Sequence, residues 1–268
     1  MNIYNMEEIK ENLVITILAG GEGKRMKSTL PKVLVDFNNK PMIICIVEEC
    51  LKLKPKKIII ITGQHHDKIV TKVKSNFIDI WEKINIKFVK QEQQLGTGHA
   101  VCCCLNLYND NDNVLILNGD TPNIKHQILD KYIAQLYLKG FKNGLITCEY
   151  KDPTGYGRVI LDKENFIEKI IEEKDATEEQ KQVKLINSGI YYINGFLLKE
   201  LIPQINDNNA QKEFYLTDII SLCYSYESHR LYNMTLSNNH IKYILGVNTK
   251  EQLKELEEYA SNDEELEL

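Results

Sequence analysis

The sequence predicts an α/β fold: a mixed, mostly parallel sheet wrapped by helices, with a smaller and partly antiparallel lobe. Two observations lead there. In the first half, short apolar runs at residues 13–18, 57–62, 86–90 and 114–117 alternate with helix-like stretches near 42–53, 67–77 and 98–108, the pattern of β-α-β units. From about Gly144 the strand-like pieces become short and closely spaced, including "GRVIL", "KIIEE" and "INSGIYYI", with helical stretches near 195–205 and 216–225. No low-complexity linker divides the halves, so they are expected to share one core.

Composition sets outer bounds. With 43% hydrophobic and 26% charged residues, the 268-residue chain reads as globular and not as disordered. A formal net charge of −5 argues against a duplex nucleic acid partner, whose affinity would need a basic surface. Seven cysteines lack the paired spacing of a zinc site or a disulfide framework, which points to a reducing, cytoplasmic location. The run "VCCCL" reads as small apolar filler on a helix. Residues 1–13 contain no apolar leader core, and the longest apolar run, 58–61, is far short of the roughly 20 residues of a membrane span. No membrane partner is expected.

The first strand-like run ends in "LAGGEGKRMKSTLPKVL", three glycines followed by Lys24, Arg25, Lys27 and Lys32 against the single acid Glu22. Glycines at the end of a strand let backbone N–H groups approach a phosphate. The spacing nevertheless fits neither the dinucleotide fingerprint nor the P-loop. On its own the loop is equally readable as a solvated basic surface turn. Asp120, in "LILNGDTP", follows an apolar strand at the edge where open α/β sheets bind ligands. There it reads either as a Mg²⁺ ligand or as the cap of a helix opening near Pro122. "QEQQLGTGHA" sets two glycines around Thr97 before a helix, and Gln91 and Gln94 offer amide edges that suit a base. His99, in the first helical turn, reads as structural and is assigned no role. Near the end, "TKEQLKELEEYA" places Thr249 and Gln252 as a capping box and Leu253, Leu256 and Ala260 on one helical face, before an acidic tail.

Together these segments, with "DPTGYGR", "IEEKDAT", "INSGIYYI", "NNAQKEFYLTDII" and "GVNTKEQL", resemble the sugar-1-phosphate nucleotidyltransferases. Within that group the resemblance is to the uridyltransferase domain of bacterial N-acetylglucosamine-1-phosphate uridyltransferases, and it runs in the family's order from about residue 13 to 255. It implies a Rossmann-like nucleotidyltransferase domain over residues 1–255. About 13–143 would form a nucleotide-binding half and about 144–248 a sugar-binding half, with residues 249–268 a terminal helix and tail. The implied reaction joins UTP and N-acetylglucosamine 1-phosphate to give UDP-N-acetylglucosamine and pyrophosphate, with Mg²⁺.

By the same resemblance, Arg25 and Lys32 hold the triphosphate, and Ala19, Gly20 and Gly21 contact nucleotide through their backbones. Gln91 and Gly96 read uracil with Thr97 nearby, Gly157, Glu172 and Asn187 bind the amino sugar, and Asp120 and Asn248 coordinate the metal. The family's usual Ala and Thr are here Gly20 and Lys24, and one extra residue after Gly157 leaves Glu172 and its neighbour Glu173 competing for one role. No hexapeptide repeat of an acetyltransferase β-helix is visible, so a stand-alone uridyltransferase is expected, possible as a homo-oligomer and with any acetyl transfer supplied upstream by a separate protein. Two rivals are a nucleotidyltransferase for another pair, such as dTTP with glucose 1-phosphate, and a non-catalytic subunit that senses sugar nucleotides.

Overall fold

The computed structural model describes residues 11–21, 23–26, 28–226 and 230–261, and of Lys24 the backbone only. Glu22, Lys27 and the acidic tail 262–268 therefore lie outside the described residues. In chain order the first half contains β1 (Leu13–Ala19), β2 (Asp36–Phe37), β3 (Lys40–Pro41), α1 (Met42–Lys52), β4 (Lys57–Thr62), α2 (His66–Asn76), β5 (Ile86–Lys90), α3 (Thr97–Cys102) and β6 (Asn113–Asn118). The rest contains α4 (His126–Leu138), β7 (Gly144–Glu149), β8 (Arg158–Leu161), β9 (Ile167–Ile171), β10 (Leu185–Asn194), α5 (Gly195–Leu201), α6 (Asp218–Tyr224), β11 (Tyr232–Leu236) and α7 (Lys250–Ser261). The described residues fall into two compact units, one made of those within 11–94, 116–131 and 242–261, the other of those within 95–115 and 132–241.

In the first unit the strand order is β1-β4-β5, all parallel, and the end of β6 from Ile116 onward belongs to the same unit. A parallel sheet covered on both faces needs continuous apolar runs, and "LVITILA" and "KIIIIT" supply them. Helix α1 begins directly after Pro41 and buries Met42, Ile43, Ile44, Ile46, Val47 and Cys50. The β2–β3 hairpin turns on Asn38 and Asn39 at φ 49° and 63°, the left-handed pair that a two-residue hairpin demands and that asparagine tolerates.

Helix α7 realises the expected capping box, Thr249 Oγ1 accepting from the Gln252 amide at 3.2 Å and Gln252 Oε1 from the amides of Asn248 and Thr249. Its predicted face packs as drawn: Leu256 joins Met26, Phe37, Met42 and Val247 in one cluster, flanked by Leu253 and Ala260. Burying one leucine in this way contributes about 2 kcal/mol.

The second unit is partly antiparallel. β7 pairs antiparallel with β10 and parallel with β11, while β8 pairs antiparallel with both β9 and β10. β10 is interrupted between Asn187 and Tyr191, where Gly189 takes φ 77°, and such a bulge re-aims the side chains around it.

Four expectations need correction. The helix read over 98–108 stops at Cys102 and continues as a 3-10 turn, because Cys104 is drawn inward, its thiol bonded to the Val101 carbonyl and the Tyr108 hydroxyl. Of the three cysteines in "VCCCL" only Cys104 is buried, and Cys102 is exposed. The stretch read over 195–205 leaves the α-helix at Leu201, since Pro203 in the following turn lacks an amide donor. The helix expected near Pro122 opens at His126: Ile124 closes a turn on Thr121, and Glu49 of α1 accepts from the His126 amide at 2.9 Å, satisfying the helix start.

Candidate active site

In the first unit, the carboxyl ends of the parallel strands gather most of the residues assigned to phosphate and metal. β1 delivers Ala19, Gly20 and Gly21. Gly20 is held by Gln94, whose Nε2 donates to the Gly20 carbonyl at 2.9 Å. That reach exists because residue 63, after β4, is glycine: a Cβ there would meet Gln94 Nε2 at 2.3 Å and the Gly20 oxygen at 2.5 Å. Gln91 is buried beside the same glycine, its Oε1 3.3 Å from where a Gly20 Cβ would stand.

Gly23, at φ 65°, lets the chain fold back so that Lys32 packs against it, and a Cβ at Gly23 would lie 2.4 Å from Lys32 Cβ. Lys32 follows Pro31 in a 3-10 turn and is 8% exposed. A lysine this buried needs a partner, and it has two. Its ammonium donates to Asp120 Oδ2 and, at 2.8 Å, to Asn248 Oδ1. Arg25 Nη2 donates to the same Asn248 oxygen at 3.0 Å.

The loop before α7 completes the arrangement, the Val247 amide donating to the Asp120 carbonyl at 2.8 Å while Gln252 holds the Asn248 backbone. Arg25, Lys32, Asp120 and Asn248, spread over more than 220 residues of sequence, thus form one connected network. Two hard oxygens facing a single cation are a donor set that suits Mg²⁺, which takes few protein oxygens and fills its remaining positions from phosphates and water. Among the described residues no group of three or more His, Cys, Asp or Glu forms a fuller cage.

The second unit holds the residues assigned to sugar and two of those assigned to nucleotide. Glu172 lies just beyond β9 and accepts from Thr217 Oγ1 at 3.0 Å. A Cβ placed on Gly157 would be 3.6 Å from Asn187 Cβ and 3.7 Å from Glu172 Oε1, so Gly157, Glu172 and Asn187 surround one spot. Asn187 is fixed by its own strand, Nδ2 donating to the Tyr191 hydroxyl at 2.7 Å and Oδ1 accepting from the Gly189 amide at 2.9 Å. Burial pushes the Glu172 carboxyl above its ordinary range; the Thr217 hydroxyl opposes this and the charges of Asp175, Asp218 and Glu213 add to it. Glu173 faces elsewhere, bonded to Arg158 at 2.6 Å and to the Gly155 amide at 3.1 Å. Adjacent glutamates that the sequence leaves competing for one role therefore sit in different surroundings.

Gly96 and Thr97 meet a segment from another motif. The Gly98 amide donates to Phe214 O at 2.7 Å, the Phe214 amide to Leu95 O at 2.8 Å, and the Leu216 amide to Thr97 Oγ1 at 3.0 Å. "LGTG" and "FYLTD" are thereby joined. His99 packs near the Phe214 ring, centroids 6.4 Å apart, as a structural residue would. Sequence reasoning missed Thr217, Tyr191 and Arg158. The only signal for Thr217 was its place before the helical run "DII", and Arg158 closes the motif "DPTGYGR" with no role assigned to it.

Comparison with known proteins places the chain in a family. The model of the nucleotidyl transferase family matches residues 14–239. The chain is 44% identical over 251 residues, 93% of its own length and 96% of the relative's, to a "probable UDP-N-acetylglucosamine pyrophosphorylase" of Acanthamoeba polyphaga mimivirus. It is 40% identical over 245 residues to the "bifunctional protein GlmU" of Francisella tularensis subsp. holarctica, covering 91% of this chain and 51% of that one, so it spans about half the length of such relatives. A solved structure of UDP-glucose pyrophosphorylase complexed with UDP-glucose superposes with a TM-score of 0.72 over 92% of this chain and 98% of that chain, at 18% identity, a likeness of fold alone. The chain belongs to the nucleotidyl transferase family.

Proposed function

We propose that this protein transfers a uridylyl group, converting UTP and N-acetylglucosamine 1-phosphate to UDP-N-acetylglucosamine and pyrophosphate in the cytoplasm. The observation that carries the reading is the convergence of Lys32 and Arg25 on the oxygens of Asp120 and Asn248. The kinship with the viral relative supports the choice of substrates. Seven free thiols are in keeping with a reducing compartment, and among the described residues no helix is long and apolar enough to cross a membrane.

In this reaction an oxygen of the sugar phosphate attacks the α-phosphorus of UTP in line and the bond to the β-phosphate oxygen breaks, releasing pyrophosphate. The nucleophile is already anionic, so no general base is required and the protein's task is positioning and charge neutralisation. Lys32 and Arg25 bring two fixed cations to the triphosphate. The glycine-rich turn after β1, braced by Gln94, exposes backbone N–H groups to it, and Gln91 offers its amide to the base. Gly157, Glu172 and Asn187 receive the sugar, Glu172 accepting from a hydroxyl or from the acetamido N–H. Mg²⁺ held by Asp120 and Asn248 would supply a further countercharge for two polyanions brought together.

The test is pyrophosphate release by the purified protein with UTP, Mg²⁺ and N-acetylglucosamine 1-phosphate, run beside dTTP and glucose 1-phosphate. Metal-dependent release that prefers the first pair is the expected result. Preference for dTTP with glucose 1-phosphate would replace the substrates, and silence with every pair from folded protein would refute the reading.

A further inference from the structure

The loop "DPTGYG", residues 152–157, carries Gly157 to the proposed sugar site, and an unusually complete set of bonds holds it. Asp152 Oδ1 accepts from the Thr154 amide at 3.2 Å and the Thr154 hydroxyl at 2.6 Å, and the Tyr156 amide closes a turn on Pro153 O at 3.1 Å. Gly155 takes φ 83°, a conformation glycine adopts without strain. The loop is then tied to the end of β9 through one carboxylate. Glu173 Oε2 accepts from the Gly155 amide at 3.1 Å and from Arg158 Nη2 at 2.6 Å, while Arg158 Nη1 donates back to the Tyr156 carbonyl.

The Arg158 side chain is 2% exposed, and Glu173 is its sole anionic partner among the described residues. Its Nε has no hydrogen-bond partner among them, and beyond Glu173 and the Tyr156 carbonyl the guanidinium reaches only the Lys181 carbonyl, at 3.5 Å from Nη2, so it depends on few bonds. Burial opposes ionisation of Glu173, yet the Gly155 amide and Arg158 outweigh it and hold the carboxyl below its ordinary range, so the tie is charged at neutral pH.

We infer that Glu173 and Arg158 are positioning residues for the sugar 1-phosphate: their ion pair fixes the 153–157 loop and so sets Gly157 against Glu172 and Asn187. This rests on the reading above. Neither residue touches substrate in it; both act through Gly155, Tyr156 and Gly157. The geometry leaves little slack, because Gly157 already packs so closely that a Cβ would lie 2.8 Å from Ile170 Cγ2. A loop released by loss of Glu173 places Gly157 less accurately, and small misplacements of a binding loop weaken the binding of what it positions.

Glu173 is the residue to change, since it is 29% exposed and its loss disturbs the core less than loss of Arg158. Glu173→Ala is expected to raise the KM for N-acetylglucosamine 1-phosphate about tenfold, with kcat and the KM for UTP near wild type, while the loss of the anion beside the buried Arg158 lowers the thermal midpoint by several degrees. Glu173→Gln, which keeps an oxygen acceptor for Gly155 and Arg158, is expected to recover most of that loss. A sugar KM within twofold of wild type in Glu173→Ala overturns the inference. So does a parallel loss of function in which kcat falls, both KM values rise to a like extent and the melting temperature drops, which marks a purely structural role. Wild-type protein that uses no sugar 1-phosphate overturns the underlying reading and this role with it, whereas an active wild type with an unaltered variant overturns the role alone.

Discussion

Lys32→Met keeps the length of the side chain and removes its charge, which isolates what the ammonium does. Lys32 is 10% exposed along its side chain and Asp120 24%, so removal of the cation leaves a carboxylate that water can still reach. The stability cost is that of one charge-assisted hydrogen bond pair discounted for partial hydration, about 1–2 kcal/mol. At roughly 2–4 °C per kcal/mol for a chain of this size, the midpoint falls by a few degrees and the fold survives. The rate should suffer far more. A fixed cation aimed at the charge of the leaving pyrophosphate is worth on the order of 10² to 10³ in kcat, about 3–4 kcal/mol. Pyrophosphate release and a thermal melt on the same preparation separate the two quantities, and Lys32→Arg serves as the control that restores charge without the same shape. A folded Lys32→Met protein that turns over within threefold of wild type would refute the assignment of Lys32 to the triphosphate.

Gly23→Ala is expected to destabilise by about 2 kcal/mol and to lower turnover together, because its φ of 65° is strained for alanine and the new Cβ collides with Lys32 Cβ; chemical denaturation and a rate measurement check both, and an unaffected rate would mean that the position of Lys32 does not matter. Thr249→Ala removes one half of the capping box of α7 and should cost about 1 kcal/mol, seen as a lower melting midpoint with turnover still measurable; an unchanged midpoint would show that the cap contributes nothing. Glu172→Gln should stabilise the protein at neutral pH by on the order of 1 kcal/mol while weakening use of the sugar. The folded carboxyl of Glu172 titrates above the unfolded one, so its contribution is fully favourable below about pH 4 and is lost as pH rises through the folded value. Melting curves of wild type and variant at pH 4 and pH 8 should therefore lie closest at the lower pH and part at the higher, and identical pH dependence in the two would contradict the assignment.

Much of the fold is legible in sequence because parallel β-α-β units write their burial into continuous apolar runs. β1, β4, β5 and β6 follow from that signal, and α7 follows from Thr249, Gln252 and one apolar face. Where helices end was less legible, since the causes lie outside the helix concerned. Glu49, far away in sequence, satisfies the start of α4, and Cys104 bends the chain after α3 to reach Tyr108. The network of Arg25, Lys32, Asp120 and Asn248 was readable as residue types, but not as a network: nothing in "LPKVL" shows that Lys32 is buried, or that Asp120 and Asn248 share its ammonium.

The two glutamates of "IEEK" mark the limit most clearly. They are chemically identical and adjacent, and just past a strand end side-chain direction no longer alternates by rule, so sequence cannot assign one to a ligand and the other to the scaffold. Their partners do. Glu172 meets a single hydroxyl and three further acids, and its carboxyl is pushed up. Glu173 meets a buried guanidinium and a backbone amide, and its carboxyl is pulled down. A carboxylate that is poorly satisfied by its own protein has hydrogen-bonding capacity left for a substrate, whereas one already saturated by Arg158 and Gly155 has little to offer and much to hold in place. On that ground we propose Glu172 as the one that meets the sugar, and the same reasoning makes Glu173→Ala and Glu172→Gln opposite in their effect on stability at neutral pH although both are expected to weaken use of the sugar.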